Sequence, residues 1–268
     1  MHPVFRRWTL ALKVFPLALA AVIVKYALHL AGWEVISLNM LFSGLLAATV
    51  FLLGFLLSGV LSDYKESEKL PGELAVSLEA LFDEGSIVCM GKDPSTGRAF
   101  LGHVLLTTRS IHDWLYGRTG FPDLMEKVSA MNDHFHAFEE MVTPNFIARM
   151  KGEQTALRRV LTRIRMVKET SFVTSGYVIA EITSTFLIIG FLLAKIDPFY
   201  ESLFFVGMIT FLFAYMLRLI RDLDDPFEYG GASQGPDEIS LAPLLDVEAR
   251  MRARYAILAS PEVTTRSG

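Results

Sequence analysis

A chain of 268 residues with 52% hydrophobic and 12% aromatic content and a mean hydropathy of +0.39 is too apolar for an ordinary water-soluble domain. Its 20% charged residues are too many for a protein wholly in lipid, and a formal net charge of -4 argues against the concentrated basic face that nucleic acid requires. The single cysteine, Cys89, excludes an internal disulfide and a thiolate metal cluster.

Along the chain, Arg6, Arg7 and Lys13 precede the apolar residues 14–24 and mimic a secretory signal, with Ala18, Ala20 and Ala21 as small residues at a cleavage site. The apolar stretch continues past Lys25 to Trp33, so it is read as a retained membrane span. Residues 35–61 follow without a single charge, which exceeds the roughly 20 apolar residues that cross a hydrocarbon core. Hydropathy predicts four spanning helices, at 12–31, 38–61, 172–194 and 199–217, with connections short enough to make each pair a hairpin.

Between the hairpins, 62–170 reads as helical, with apolar residues at helical spacing in Leu74, Leu78, Leu81 and Phe82 and again in Leu157, Val160, Leu161 and Ile164. Breaks are expected at 91–97 (GKDPSTG), at 117–122 and near Pro144. The basic stretch 157–168, LRRVLTRIRMVK, is read first as a solvated or headgroup-facing stripe; an anion-attracting vestibule is the sharper alternative. Beyond Arg221 the chain turns polar and rich in Gly and Pro, so the helix ends by Pro226. An amphipathic helix over 241–255 and a disordered ending at 260–268 complete the reading. The expected organisation is a first hairpin within 1–61, a cytosolic helical region at 62–170, a second hairpin within 171–220 and a cytosolic tail at 221–268.

Fourteen Lys and Arg lie in 62–170 and six from Arg218 onward, against none between the first two spans and Lys195 alone between the last two. Positive charge marks cytoplasmic flanks, so both termini and the central region are expected in the cytoplasm of a multi-pass cell-membrane protein. Trp33, Phe199 and Tyr200 then serve as aromatic anchors at the outer interface.

In the second span, Ala47, Phe51 and Phe55 are spaced by four and share one helix face. Gly54 and Ser58 flank that face, and Gly44 with Ala48 makes a small-xxx-small pair suited to close helix contact. Spacing alone favours rings that face lipid or a neighbouring helix. The alternative is a hydrophobic neck around an axis, where the partially positive phenyl edges favour a dehydrating anion. Two ionisable residues inside spans, Lys25 and Glu181, are expected at similar depth and are read as an ion pair tying the hairpins, the alternative being that Lys25 snorkels outward and Glu181 is neutral or wets a cavity. His134, His136, Glu139 and Glu140 carry metal-ligand chemistry, but two imidazoles without a third defined ligand are an incomplete set. No cofactor, no catalytic constellation and no phosphate loop is read.

Two motifs carry a resemblance. The string Phe51-Leu-Leu-Gly54-Phe55-Leu-Leu followed by Asp63-Tyr64-Lys65 is similar to the pore helix of the bestrophin family, and Asp224-Asp225-Pro226-Phe227 resembles that family's acidic or Asn-Pro-Phe turn. Leu244-Leu245-Asp246 falls where the family has a Leu-rich segment, and the order of hairpin, cytosolic helices, hairpin and tail agrees. The resemblance implies an all-α, four-span membrane protein that assembles as a homopentameric channel for small ions, anions such as chloride favoured, in a lipid bilayer. It implies a neck at Ala47, Phe51 and Phe55, with small Ala47 widening the outermost ring, and a second constriction in the cytosolic helices for which Ile147 and Met150 are the candidates. Two departures bear on function. YGGASQG after Glu228 offers few oxygens before Asp237 and Glu238, which puts calcium activation in doubt. SDYKESEK leaves the inner neck less positive, which puts anion selectivity in doubt. A non-conducting scaffold or sensor, and a membrane-bound metal-dependent enzyme resting on His134 and His136, are the rival readings.

Overall fold

The computed structural model describes residues 3–91, 93–169, 174–227, 229 and 238–259. Glu228, the 230–237 segment and the ending 260–268, to which expectations were attached, lie outside the described residues. The elements in chain order are α1 (Pro3–Leu30), β1 (Ile36–Ser37), α2 (Met40–Ser67), α3 (Leu70–Met90), α4 (Pro94–Leu115), α5 (Phe121–Phe138), α6 (Pro144–Glu169), α7 (Thr174–Leu193), β2 (Ala194–Lys195), α8 (Phe199–Asp224) and α9 (Ala242–Ala259). The chain forms two compact units, one from residues up to 64 with 171–226 and the other from 65–170 with most of the chain from 227 onward.

The first unit holds the two hairpins. Its four helices are each long and apolar enough to cross a membrane. The α1–α2 hairpin meets the α7–α8 hairpin chiefly through α1 on α8. Its core is built by Leu53, Leu56 and Val60 of α2, Ala180 and Leu187 of α7, and Phe213, Ile220 and Leu223 of α8. A smaller cluster joins Ala21 of α1 to Phe191 and Val206, with Phe42 set edge-on to Phe191 at 4.8 Å. At the loop end the two connections meet as a two-residue parallel ladder, Ile36 opposite Ala194 and Ser37 opposite Lys195. Pairing satisfies backbone groups that would otherwise be exposed where the helices stop.

The helices outrun the hydropathy windows: α1 begins at Pro3, α2 continues to Ser67 and α8 to Asp224. Hydropathy measures the apolar stretch, whereas Leu, Arg, Lys and Glu at the edges are good helix formers and carry the helix on.

The second unit packs α3, α4, α5, α6 and α9. Proline opens α3, α4, α5 and α6 within the first two positions of each (Pro71, Pro94, Pro122, Pro144), where a missing N–H costs nothing. The first expected break is shorter than its loop chemistry suggested. Asp93 caps α4 by accepting from the Ser95 and Thr96 amides at 2.9 and 3.3 Å, so the helix starts inside GKDPSTG. Gly97 then lies in α4 against α3, where an added Cβ would stand 2.4 Å from the Cα of Cys89. Leu74, Leu78, Leu81 and Phe82 are buried, as is Phe100, whose ring meets Phe135 at 5.7 Å and Phe138 at 5.5 Å. The α9 helix buries Leu244, Val247 and Met251, and Arg250 and Arg254 pair with Glu79 and Asp83 of α3.

Candidate pore-lining helix and the surrounding residues

Two faces of α2 differ in what covers them. Thr49, Leu53, Leu56 and Val60 are buried against the first unit's core. On the other side, Gly44, Ala47, Ala48, Phe51, Gly54, Phe55 and Ser58 are exposed, with Phe51 77% and Phe55 64% accessible. A Cβ placed on Gly44 or Gly54 would meet open space. Among the described residues, no side chain covers this strip of small residues and two phenyl rings. Small residues let a neighbouring helix approach closely, and the rings stand free to project toward whatever fills that space.

The expected Lys25–Glu181 pair does not form. Lys25, completely buried, places its ammonium 2.7 Å from Glu34 Oε1 and donates to the carbonyls of Leu192, at 3.2 Å, and Ala194. Its three N–H groups therefore meet one carboxylate and two carbonyls at the end of α7, where helix geometry leaves carbonyls unpaired and the dipole is negative. Glu181 pairs instead with Arg221 of α8. The depth count misled because α1 starts earlier than expected. Lys25 is about one and a half turns from its loop end and Glu181 more than three from its own, a separation of about 10 Å along the axes at 1.5 Å per residue. The tie between hairpins exists, with a different partner. Glu34, which hydropathy and helical spacing do not single out, sits in the loop beyond α1; its signal in the sequence is a lone carboxylate nine positions after the buried lysine. His29 joins it, with Nδ1 2.9 Å from Glu34 and its ring stacked on Phe199 at 3.7 Å.

In the second unit, Met150 is fully enclosed, so its side chain is not available to line an opening. It belongs to the buried stripe of α6 with Phe146, Gln154, Leu157, Leu161 and Ile164, which the helical period places on one face. Ile147 is half-buried. Met166, 55% accessible near the end of the same helix, is an exposed apolar side chain that the sequence reading passed over. The basic stripe of α6 is largely engaged by local partners: Arg163 pairs with Glu66, Arg165 with Glu169, Arg158 donates to Ser129 and Lys168 to the Leu115 carbonyl.

The family-like turn closes α8. Asp224 is its last residue, Asp225 breaks the helical conformation, Pro226 lies in the turn, and Phe227 is buried in the second unit beside Tyr229. The histidines separate: His134 turns inward to Phe100 and to His103, ring centroids 5.1 Å apart, whereas His136 is exposed beside Glu139. Burial, then the neighbouring His103, lower the pKa of His134. Among the described residues no three His, Cys, Asp or Glu side chains converge as a metal set.

No protein-family model matches the chain, and no curated protein sequence matches it. Solved structures do. A variant of a bacterial bestrophin homologue from Klebsiella pneumoniae aligns with a TM-score of 0.77 at 17% identity, over 92% of this chain and 98% of that one. A further crystal structure of a bestrophin homologue from the same organism gives 0.72 at 17% identity, over 95% and 99%. A structure described only as a membrane protein gives 0.71 at 16% identity, over 94% and 98%. Four membrane-length helices in two hairpins, joined through a helical region and aligned over nearly their whole length, give this chain the fold of the bacterial bestrophin homologues.

Proposed function

We propose that the chain is a subunit of a homopentameric channel that passes small ions down their gradient, with α2 of each copy lining a central neck. The observation that carries this reading is the uncovered strip of α2, in which small residues alternate with Phe51 and Phe55 on a helix whose other face is packed in the core. A strip of that kind suits close packing of identical helices about an axis, and the bestrophin-homologue fold supports the same arrangement. Phe51 and Phe55 would narrow the path and Ala47 would leave its outermost ring wide. Phenyl edges turned to the axis would favour a partly dehydrated anion such as chloride.

The skewed Lys and Arg distribution supports a cell-membrane orientation with both termini and the helical unit in the cytoplasm. A second constriction would fall on apolar residues of that unit that are not enclosed, with half-buried Ile147 and exposed Met166 as the positions to test.

The test is a bilayer recording on purified, reconstituted protein with mass measurement of the assembly. Five copies and a conductance that changes at least several-fold in Phe51→Ala or Phe55→Ala support the channel. A monomer, or no current from well-folded protein, leaves the scaffold reading in its place.

A further inference from the structure

We propose that the second unit carries a binding groove for an organic phosphate between α4 and α9. The groove is a cavity of about 470 Å³ lined by Arg109, His112 and Asp113 of α4, Arg118 just beyond it, and Leu245, Glu248, Ala249 and Arg252 of α9. That volume lies within the range of small-molecule sites, roughly 300–1,000 Å³, and far exceeds what one water or a bare ion fills.

Charge decides what the groove accepts. Three guanidiniums face two carboxylates, in a chain whose overall charge is negative. Each carboxylate already holds an arginine: Asp113 takes Arg118 at 3.2 Å and Glu248 takes Arg252. Engaged carboxylates are poor cation ligands, so a metal is disfavoured. Arg109 is the residue left over. It is exposed, and no hydrogen bond, ion pair or ring contact is recorded for it among the described residues. Its planar fork of donors matches two phosphate oxygens at once, and Arg252 lies on the facing helix.

Beside the arginines the lining offers the His112 imidazole and an apolar wall. The His112 ring leans on Tyr116 at 4.6 Å, and Arg118 lies over the same Tyr116 ring at 5.3 Å. Leu245 and Ala249 supply the apolar wall. The organic part of the ligand can lie against His112, Leu245 and Ala249 while its phosphate reaches Arg109. The geometry of α9 makes this possible because the bridges Arg250–Glu79 and Arg254–Asp83 and the burial of Leu244, Val247 and Met251 hold it in place. The site is independent of ion conduction and stands or falls separately from it.

Titration calorimetry on the full-length protein in detergent at low salt tests the proposal, with AMP, adenosine, inorganic phosphate and short-chain phosphatidic acid as probes. AMP should bind, adenosine at least about ten-fold more weakly, and Arg109→Gln should weaken AMP by about ten-fold or more, the scale of one lost charge-assisted contact. Arg159→Gln, at an exposed arginine of α6 outside the groove, is the control and should leave AMP binding unchanged. Because Arg109 is exposed, its replacement should also leave the melting midpoint unchanged, so lost binding is not lost folding. Displacement of AMP by short-chain phosphatidic acid would assign the phosphate to a lipid headgroup, and failure to displace would assign it to a soluble metabolite. No heat with any phosphate probe, equal binding of adenosine and AMP, or equal loss in Arg109→Gln and Arg159→Gln would each overturn the proposal.

Discussion

Lys25 illustrates how one buried charge can organise a membrane unit. An ammonium withdrawn from solvent is tolerated only when its donors are all met, and here Glu34 and the two carbonyls at the end of α7 meet them. Replacing Glu34 alone leaves the charge poorly compensated. Glu34→Gln should therefore destabilise the protein by about 3 kcal/mol, and Lys25→Met by a similar amount, whereas the double replacement should cost clearly less than the sum. Unfolding midpoints of the four proteins in one detergent check this, and strict additivity would contradict it. Asp93 offers a separate prediction at the cap of α4. Hydrogen bonds from the side chains of Thr96 and Ser95, then from their amides, hold its carboxyl far below the ordinary 3.8. A carboxylate with a depressed folded pKa contributes stability that is complete above its unfolded value and fades as pH falls. Asp93→Asn keeps a capping oxygen, so at neutral pH its melting midpoint should stay near that of the parent, while the decline between about pH 5 and about pH 2 should become shallower.

Among the elements, α9 and α4 depend on different physics. The α9 helix is docked by apolar burial, with exposed ion pairs to α3 adding direction rather than much energy. Leu244→Ala should cost about 2–5 kcal/mol, and Arg250→Gln should move the melting midpoint only slightly. Protease susceptibility of α9, compared between the two variants, is the direct measurement. For α4 the constraint is steric: its crossing with α3 needs Gly97, because any side chain would collide with the backbone of Cys89. Gly97→Ala should destabilise by about 1–3 kcal/mol despite the better helix propensity of alanine. A rise in stability would mean that the helices separate without penalty. The α6 helix shows where pattern reading succeeded and where it fell short. Its period identified Leu157, Val160, Leu161 and Ile164 as buried, yet Met150 lies on that same stripe and was still taken as a lining candidate. Extending the period back along the helix would have removed it.

For the molecule as a whole, the bestrophin-homologue fold and the two-faced α2 make one connected expectation about assembly. If α2 packs on its copies, the exposed Phe51 and Phe55 contribute little to the stability of an isolated chain. Phe55→Ala should then change conductance several-fold while leaving the melting midpoint of dispersed subunits within about 1 kcal/mol of the parent. Leu56→Ala, one residue away and facing the core, should do the reverse and destabilise by about 2–5 kcal/mol. Current recordings paired with unfolding curves separate the two faces.

What the amino-acid order determined by itself was local and periodic. Apolar runs marked four spans, helical spacing assigned the core faces of α3 and α6, and Gly- and Pro-containing segments marked the breaks between helices, because hydropathy, period and backbone restriction act over a few turns. The tertiary structure alone decided which distant groups met. Lys25 reached the carbonyls of Leu192 and Ala194, Glu181 reached Arg221, and His134 turned to His103 rather than to its neighbour His136. Carbonyls look alike in every sequence, and helix offsets of a few residues shift depth by a turn or more, so such partnerships emerge only once the helices are laid side by side.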